Sequence, residues 1–344
     1  MRVHTESLPI RPFLMRIAIA VSALAISSYF FACTRTDQKP VGPLEKVTIA
    51  YAIPPYTALA DIAQARGYFR LEGLEVTPRF HSTGKAALDE VLEGKADLAT
   101  VAETPVMFAI MRGAEISIIA TIQSSNKNNA IFARKEKGIR APQDLKGKKI
   151  GVTSGTIGEF FMDAFLAVHG ISRKGVTVVN LEPEKMPEAL VNGDVDAVSA
   201  WSPVLSQAQA NLGERGIIFH DEDIFTQTFN IAATQDYIRK NPARVKAVLL
   251  ALIKAEQFAI HNPAAAQEIV ADFQQMDRAL FGEIWTGNTF SVTLDQSLLL
   301  ALEDESRWAI KNGLIGKSEI PNYLDFIYLD GLASVKPKAV RILR

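Results

Sequence analysis

Cysteine is nearly absent: 344 residues contain one, Cys33. A single thiol excludes a disulfide framework, a thiolate zinc site and a redox pair. Histidine is scarce as well, with only His4, His81, His169, His220 and His261. No Gly-x-Ser-x-Gly elbow, phosphate-binding loop or His-Glu-x-x-His pair occurs, so the common hydrolase, nucleotidase and zinc-protease signatures are missing. Neither sign of charge dominates, with 37 basic against 38 acidic residues. The basic face that nucleic acid requires is therefore lacking. What the chain does have is core: 48% of its residues are hydrophobic and 22% charged, which excludes a disordered polymer. Its length predicts about two domains.

The first forty residues differ from the rest. Positions 17–32 read IAIAVSALAISSYFFA, sixteen residues without a charge, behind Arg11 and Arg16. This is short for a spanning helix, which needs about 20 apolar residues, and fits the apolar core of a secretory signal. Phe30-Phe31-Ala32-Cys33 follows at once. It resembles the bacterial lipobox, whose cysteine takes a diacylglycerol and becomes the mature N-terminus. Ala32 fits that pattern, while Phe30 stands where leucine is usual. The alternatives are an uncleaved anchor, or a plain signal with an incidental cysteine. Met15 opens a more compact signal than Met1. The expected order is a signal over 1–32 and a tether over 33–45. After them no run of 18 apolar residues occurs, and the body is expected to be soluble, outside the cytoplasmic membrane.

From Val47 apolar runs alternate with amphipathic stretches. Strands are predicted over 47–53, 74–80, 96–102 and 116–123, with helices between them over 57–67, 84–93 and 105–112, the last with Pro105 at its first position. The pattern then begins again, with strands over 130–134, 149–152, 176–180, 196–200 and 216–219 around helices over 158–168 and 187–192. After a further strand over 229–233 the chain turns almost wholly helical, over 243–261, 263–273 and 294–312. Such helices cannot bury their apolar faces on one another alone, so they are expected to return and cover the first unit. The implied fold class is α/β: two lobes, each a mainly parallel sheet flanked by helices, joined by two crossings. Lobe I takes 46–126 and 230–344, and lobe II takes 127–229. Two crossings make a hinge and leave a cleft.

Several stretches then resemble one family. They are Pro54-Pro55-Tyr56, Ala63-Gln64-Ala65-Arg66-Gly67-Tyr68-Phe69, Leu92-Glu93-Gly94-Lys95-Ala96-Asp97, Asp144-Leu145-Lys146-Gly147, Asn192-Gly193-Asp194-Val195-Asp196-Ala197 and the surroundings of Trp308. In order and spacing, over about 46–315, they are similar to the periplasmic binding proteins for nitrate, taurine and alkanesulfonates, with their thiamine-pyrimidine precursor relatives. The resemblance implies a type II binding-protein fold and a small organic ligand, anionic and sulfonate-like or heterocyclic. It also implies delivery to an ABC permease and its ATPase. No cofactor or metal is expected, and the protein is expected to act as a monomer held to a membrane through its lipid.

Ligands of open α/β sheets sit beyond the carboxyl ends of strands, where helix N-termini offer free N–H groups and a positive dipole end. Three such turns are present. Ser154, Gly155 and Thr156 follow the 149–152 strand, where the resemblance also places anionic groups. Glu103 and Thr104 follow the 96–102 strand, and Ser82 and Thr83 the 74–80 strand. Each turn could equally be plain helix capping. Glu103 facing the cleft would favour a ligand with a cationic or donor group; facing solvent it would say nothing. Pro55 and Tyr56 form the loop after the first strand, Trp201 a large aromatic at the second lobe's mouth, and Asn128 and Asn230 supply amides at the crossings.

Catalysis is not expected. His169 and His261 suit helix ends, and His220 lies in an acidic loop. Enzymes of this fold that remove sulfinate use a cysteine, whereas here the sole cysteine is the lipid candidate. Pyrimidine-making relatives consume a histidine, and only His81 sits at a plausible mouth. The alternatives to transport are a sensor lipoprotein that docks a receptor, or an enzyme on the same fold.

Overall fold

The computed structural model describes residues 43–52 and 55–343. The signal, Cys33, most of the tether and Pro54 lie outside them. The chain enters β1 (Glu45–Ala52), then a 3-10 turn (Pro55–Thr57), α1 (Ala58–Ala65) and a one-turn α2 (Tyr68–Leu71). It continues as β2 (Leu74–His81), α3 (Gly84–Leu92), β3 (Leu98–Ala102), α4 (Glu103–Met111) and β4 (Ile116–Ser125). Next come β5 (Asn129–Arg134), β6 (Lys149–Val152), α5 (Ile157–Val168), β7 (Thr177–Asn180), α6 (Met186–Asn192), β8 (Ala197–Trp201), α7 (Val204–Leu212) and β9 (Gly216–Phe219). The last stretch is β10 (Gln227–Thr234), α8 (Gln235–Lys240), α9 (Pro242–His261), α10 (Pro263–Phe273), α11 (Arg278–Thr286), β11 (Leu294–Asp295), α12 (Gln296–Lys311), α13 (Leu329–Val335) and β12 (Val340–Arg341).

Two five-stranded sheets result, ordered β2-β1-β3-β10-β4 and β7-β6-β8-β5-β9. Each is mixed. β1 runs parallel to β2 and β3, and β6 parallel to β7 and β8. β10 is antiparallel to both its neighbours, and so is β5. These two strands are the ones the chain forms immediately after passing between sheets. A strand entered directly across the cleft runs opposite to strands reached through a helical crossover. The crossings lie between Ser125 and Asn129 and between Phe219 and Gln227.

Central strands such as β3, LATVA, are buried at every position, as strands covered on both faces should be. The late helices do return to the first sheet: Val248, Leu252, Leu298 and Leu302 share one buried cluster with Val47, Leu59 and Ile118. The second sheet has separate clusters on its two faces. Helix α4 starts at Glu103, two residues before the expected Pro105. Proline is tolerated there because first-turn N–H groups have no intrahelical partner anyway. Helices α8, α11 and α13 are short and were not foreseen. Among the described residues no helix is long and apolar enough to cross a membrane.

One buried carboxyl ties α1 to the end of α10. Asp61 Oδ2 accepts from Thr57 Oγ1 at 2.8 Å and from Gln274 Nε2 at 2.5 Å. Burial pushes Asp61 up to about 7, although both hydrogen bonds oppose the rise. Between about pH 4 and 7 the folded state therefore keeps a proton that the unfolded chain has lost. The stability this provides is complete below about pH 4 and disappears as pH rises through about 7. Wild-type protein should accordingly melt at lower temperature at pH 8 than at pH 5.5. Asp61→Asn, which cannot ionise, should flatten that slope in thermal scans. An unchanged slope would show that Asp61 does not titrate in this window.

Candidate functional site

The carboxyl ends of β1, β3, β6 and β8 face one another across the gap between the sheets. Residues from both lobes enclose a small central cavity there. The first lobe contributes Tyr56, Thr83, Gly84, Lys85, Ala102, Pro105, Gln227 and Phe229, and the second Thr156, Ile157 and Trp201. Gln227 and Phe229, expected in lobe II, belong to the first because β10 begins at Gln227 and joins the first sheet. Room for the centre of a water molecule amounts to about 20 Å³, enough for roughly one water. A solute of several heavy atoms therefore both enters and is held only with the lobes set further apart than they are here. Ile157 and Trp201, though carried by the second lobe, are packed into the first lobe's hydrophobic cluster. The conformation is thus closed.

Local chemistry explains how these side chains are held. Thr83 caps α3, its Oγ1 accepting from Ala86 N at 3.1 Å, which leaves its hydroxyl proton free. Thr156 donates its hydroxyl to Thr153 O at 2.7 Å, so only its lone pairs remain. Tyr56 stands 5.8 Å from Phe229, ring centre to ring centre, and donates to Ser202 O at 3.3 Å across the cleft. Trp201 ends β8 and lies against α5: a Cβ added to Gly158 would come within 3.2 Å of its ring. The helices that begin at Gly84 and Ile157 both point their N-termini here, which favours negative charge.

The structure sorts the residues singled out from sequence. Tyr56, Thr83, Thr156 and Trp201 line the central cavity. Gly155, held at φ +75° by the turn, lines an outer groove of about 350 Å³ beside it. Asn128 lines another interlobe space of about 280 Å³ and donates to Asn288 Oδ1 at 3.1 Å. Pro55, Ser82, Glu103, Thr104, Ser154 and Asn230 are not part of the central wall. Pro55 is buried in its 3-10 turn, and Ser82 and Ser154 are exposed on the rims. Asn230 is occupied inside the first lobe by Thr121, Thr228 and Val101.

Glu103 faces neither the cavity nor solvent. It is fully buried, and its Oε2 accepts from the backbone N–H and the hydroxyl of Thr228 at 2.9 and 3.0 Å. Thr104 turns away from the cleft to donate to Glu305 Oε1 at 3.1 Å. Burial raises both carboxyls, and the Glu103 charge raises Glu305 further. Glu103 Oε1 and Glu305 Oε2 are buried without partners. The pair belongs to the first lobe's interior, and among the described residues no carboxylate lines the central cavity.

Two polar lining residues escaped the sequence reading. Lys85 is the one charged side chain on the cavity wall; its Nζ lies 3.3 Å from Asp89 Oδ2, and its stem lies about 3.7 Å from where a Gly155 Cβ would stand. Lysine in a first helical turn opposes the helix dipole, and that unfavourable placement was the available signal. Gln227, 1% exposed, opens β10; the signal was a run of polar residues, Gln227, Thr228 and Asn230, in an otherwise apolar strand.

Outside the cavity a second set of bonds joins the lobes. Trp308 Nε1 on α12 donates to Asp163 Oδ2 on α5 at 2.8 Å. Asp163 pairs with Arg173, which also holds Glu159 at 2.7 Å. Glu159 in turn accepts from Gly155 N at 2.8 Å. Phe160 packs edge-on against Trp308, with centroids 5.2 Å apart. Among the described residues no cluster of three or more His, Cys, Asp or Glu side chains could hold a metal ion.

Comparison with known proteins agrees with this geometry. The sequence profile of the family described as NMT1/THI5 like matches residues 55–266. The taurine-binding periplasmic protein of Escherichia coli is 26% identical over 223 residues, covering 63% of this chain and 67% of its own. Among solved structures, the alkanesulfonate-binding protein of Xanthomonas axonopodis pv. citri, bound to MOPS, superposes with a TM-score of 0.72 at 19% identity. That match covers 83% of this chain and 99% of the other. The periplasmic aliphatic sulphonate binding protein of Escherichia coli gives 0.70 at 18% identity, covering 83% and 98%. At such identities the structures establish the shared binding-protein fold.

Proposed function

The chain belongs to the NMT1/THI5-like family, and from that membership we propose that it is an extracytoplasmic solute-binding protein of an ABC importer. Its two lobes close on a small organic solute, and the closed form docks on a permease driven by its ATPase. The observation that carries this reading is the cavity walled by both lobes. A solute touching Thr83 and Tyr56 on one side and Thr156 and Trp201 on the other binds the closed state better than the open one, and so shifts the equilibrium towards closure. The relatives' names, taurine-binding and aliphatic sulphonate binding, support the transport role.

The solute we propose carries an anionic, sulfonate-like group. Supporting this are Lys85, two helix N-termini and the absence of any carboxylate from the lining, an arrangement that offers donors to oxyanion oxygens. We read the protein as a carrier rather than a catalyst, in keeping with relatives named taurine-binding and aliphatic sulphonate binding. Signal 1–32 and lipid on Cys33 would hold a monomeric body at a membrane in the periplasm. Calorimetry with ethanesulfonate, taurine and nitrate should give 1:1 binding for at least one, with no heat from ethylammonium. Heat from ethylammonium alone, or from none of the four, would remove the anion reading.

A further inference from the structure

We propose that Gln227 reads the solute, and that Asn129 fixes which end of its amide does so. This rests on the solute-binding reading above and narrows the chemistry the cavity accepts. Gln227 and Asn129 are the first residues of β10 and β5, the two strands that follow the crossings. Gln227 sits in the cavity wall, and Asn129 pairs in register with Trp201, another wall residue. Between them runs one buried hydrogen bond, Asn129 Nδ2 to Gln227 Oε1, at 2.6 Å.

The direction of that bond has a chemical reason. Asn129 Oδ1 is buried and finds no partner. Turning both amides round would preserve the bond but put Asn129 NH₂ where no acceptor stands. A buried N–H without a partner costs more than an under-used carbonyl. Asn129 therefore donates, Gln227 Oε1 is occupied, and the free end of the Gln227 amide is its NH₂. A cavity already furnished with Lys85 gains a neutral donor, suited to a second oxygen of the same oxyanion and ill-suited to a donor group.

The same bond links recognition to the hinge. It ties the start of one crossing strand to the start of the other, so Gln227 takes its place on the wall only when the first residues of β5 and β10 stand side by side. A solute that requires Gln227 thereby favours the arrangement of the crossings seen in the closed form.

The test is calorimetry of the full chain with ethanesulfonate, with thermal melting recorded in parallel. Gln227→Met keeps length and burial but removes the donor, and should weaken binding by at least about tenfold, as expected for one hydrogen bond to a charged group. Asn129→Asp reverses the logic. A carboxylate can only accept, so Gln227 must turn its NH₂ towards Asp and its carbonyl towards the solute, and affinity should fall by a comparable factor. In the Gln227→Met background Asn129→Asp should cost clearly less than in wild type, because the part of its effect that runs through Gln227 is gone and only the repulsion between the new carboxylate and the anion remains. A merely structural pair would instead lower the melting temperature and leave binding alone. Retained affinity in Gln227→Met, or equal losses from Asn129→Asp in both backgrounds, would overturn the assignment. Wild-type protein that binds neither ethanesulfonate nor the other anions would overturn the solute reading itself, and this assignment with it.

Discussion

Lys85→Glu should weaken binding of an anionic solute by more than about 100-fold, because a like charge at the wall replaces an opposite one. The physical case rests on three observations. Among the described residues Lys85 is the only charged side chain on the cavity lining. Its stem lies beside the Gly155 turn of the other lobe, at the place where both halves meet. Its one ion pair, with Asp89, is between partly exposed side chains and contributes little to folding. The substitution should therefore leave the melting temperature almost unchanged, which separates recognition from stability. Lys85→Gln, neutral and still polar, should fall between wild type and Lys85→Glu. Binding of ethanesulfonate that is indifferent to both changes would show that the anion is held elsewhere in the cleft.

Trp308→Phe should lower solute affinity by about tenfold without the residue touching solute at all. The change keeps an aromatic ring against Phe160 and Phe108, trims the smaller ring of the indole and removes with it the N–H that reaches Asp163. A hydrogen bond to a charged group contributes about 1.5–3 kcal/mol, and this one exists only while the lobes are together. Losing it lowers the closed population, and apparent affinity falls by the same fraction. Small-angle scattering should register the change as a larger radius of gyration before solute is added. Trp308→Ala should do more, removing a nearly buried indole at a cost of about 3–5 kcal/mol, divided between folding and closure. If Trp308→Phe scatters and binds as wild type does, the Trp308–Asp163 bond does not govern closure. Since Asp163, Arg173, Glu159 and Gly155 form one connected chain of contacts, loosening at Trp308 should also be felt at the Gly155 turn beside the cavity.

Much of the fold was legible because periodicity and punctuation are local. The 84–93 helix announces itself by a threonine cap and Gly94, and the structure ends α3 at Leu92; the 263–273 helix is observed with the same bounds. Pairing is not local. Nothing in FNIAA or AIFAR distinguishes a parallel strand from an antiparallel one, and the reversal of β5 and β10 follows from their place after the crossings.

The site divides along the same line. That small hydroxyls and aromatics follow strand ends was written in the chain, and it placed Tyr56, Thr83, Thr156 and Trp201 where the cavity is. Glu103 and Asn230 carried equal promise by the same rule and turned inward. What separates them is partners distant in sequence: Thr228 for Glu103, and Thr121 with Val101 for Asn230.

The sequence by itself thus determined the two α/β units, the order of their elements and the turns that could meet a ligand, because propensity, caps and apolar spacing act over a few residues. Only the tertiary structure decided which polar groups are turned into the lobe interior and which, like Lys85 and Gln227, line the cavity between the lobes. That depends on contacts between residues a hundred or more positions apart, and no local pattern encodes them.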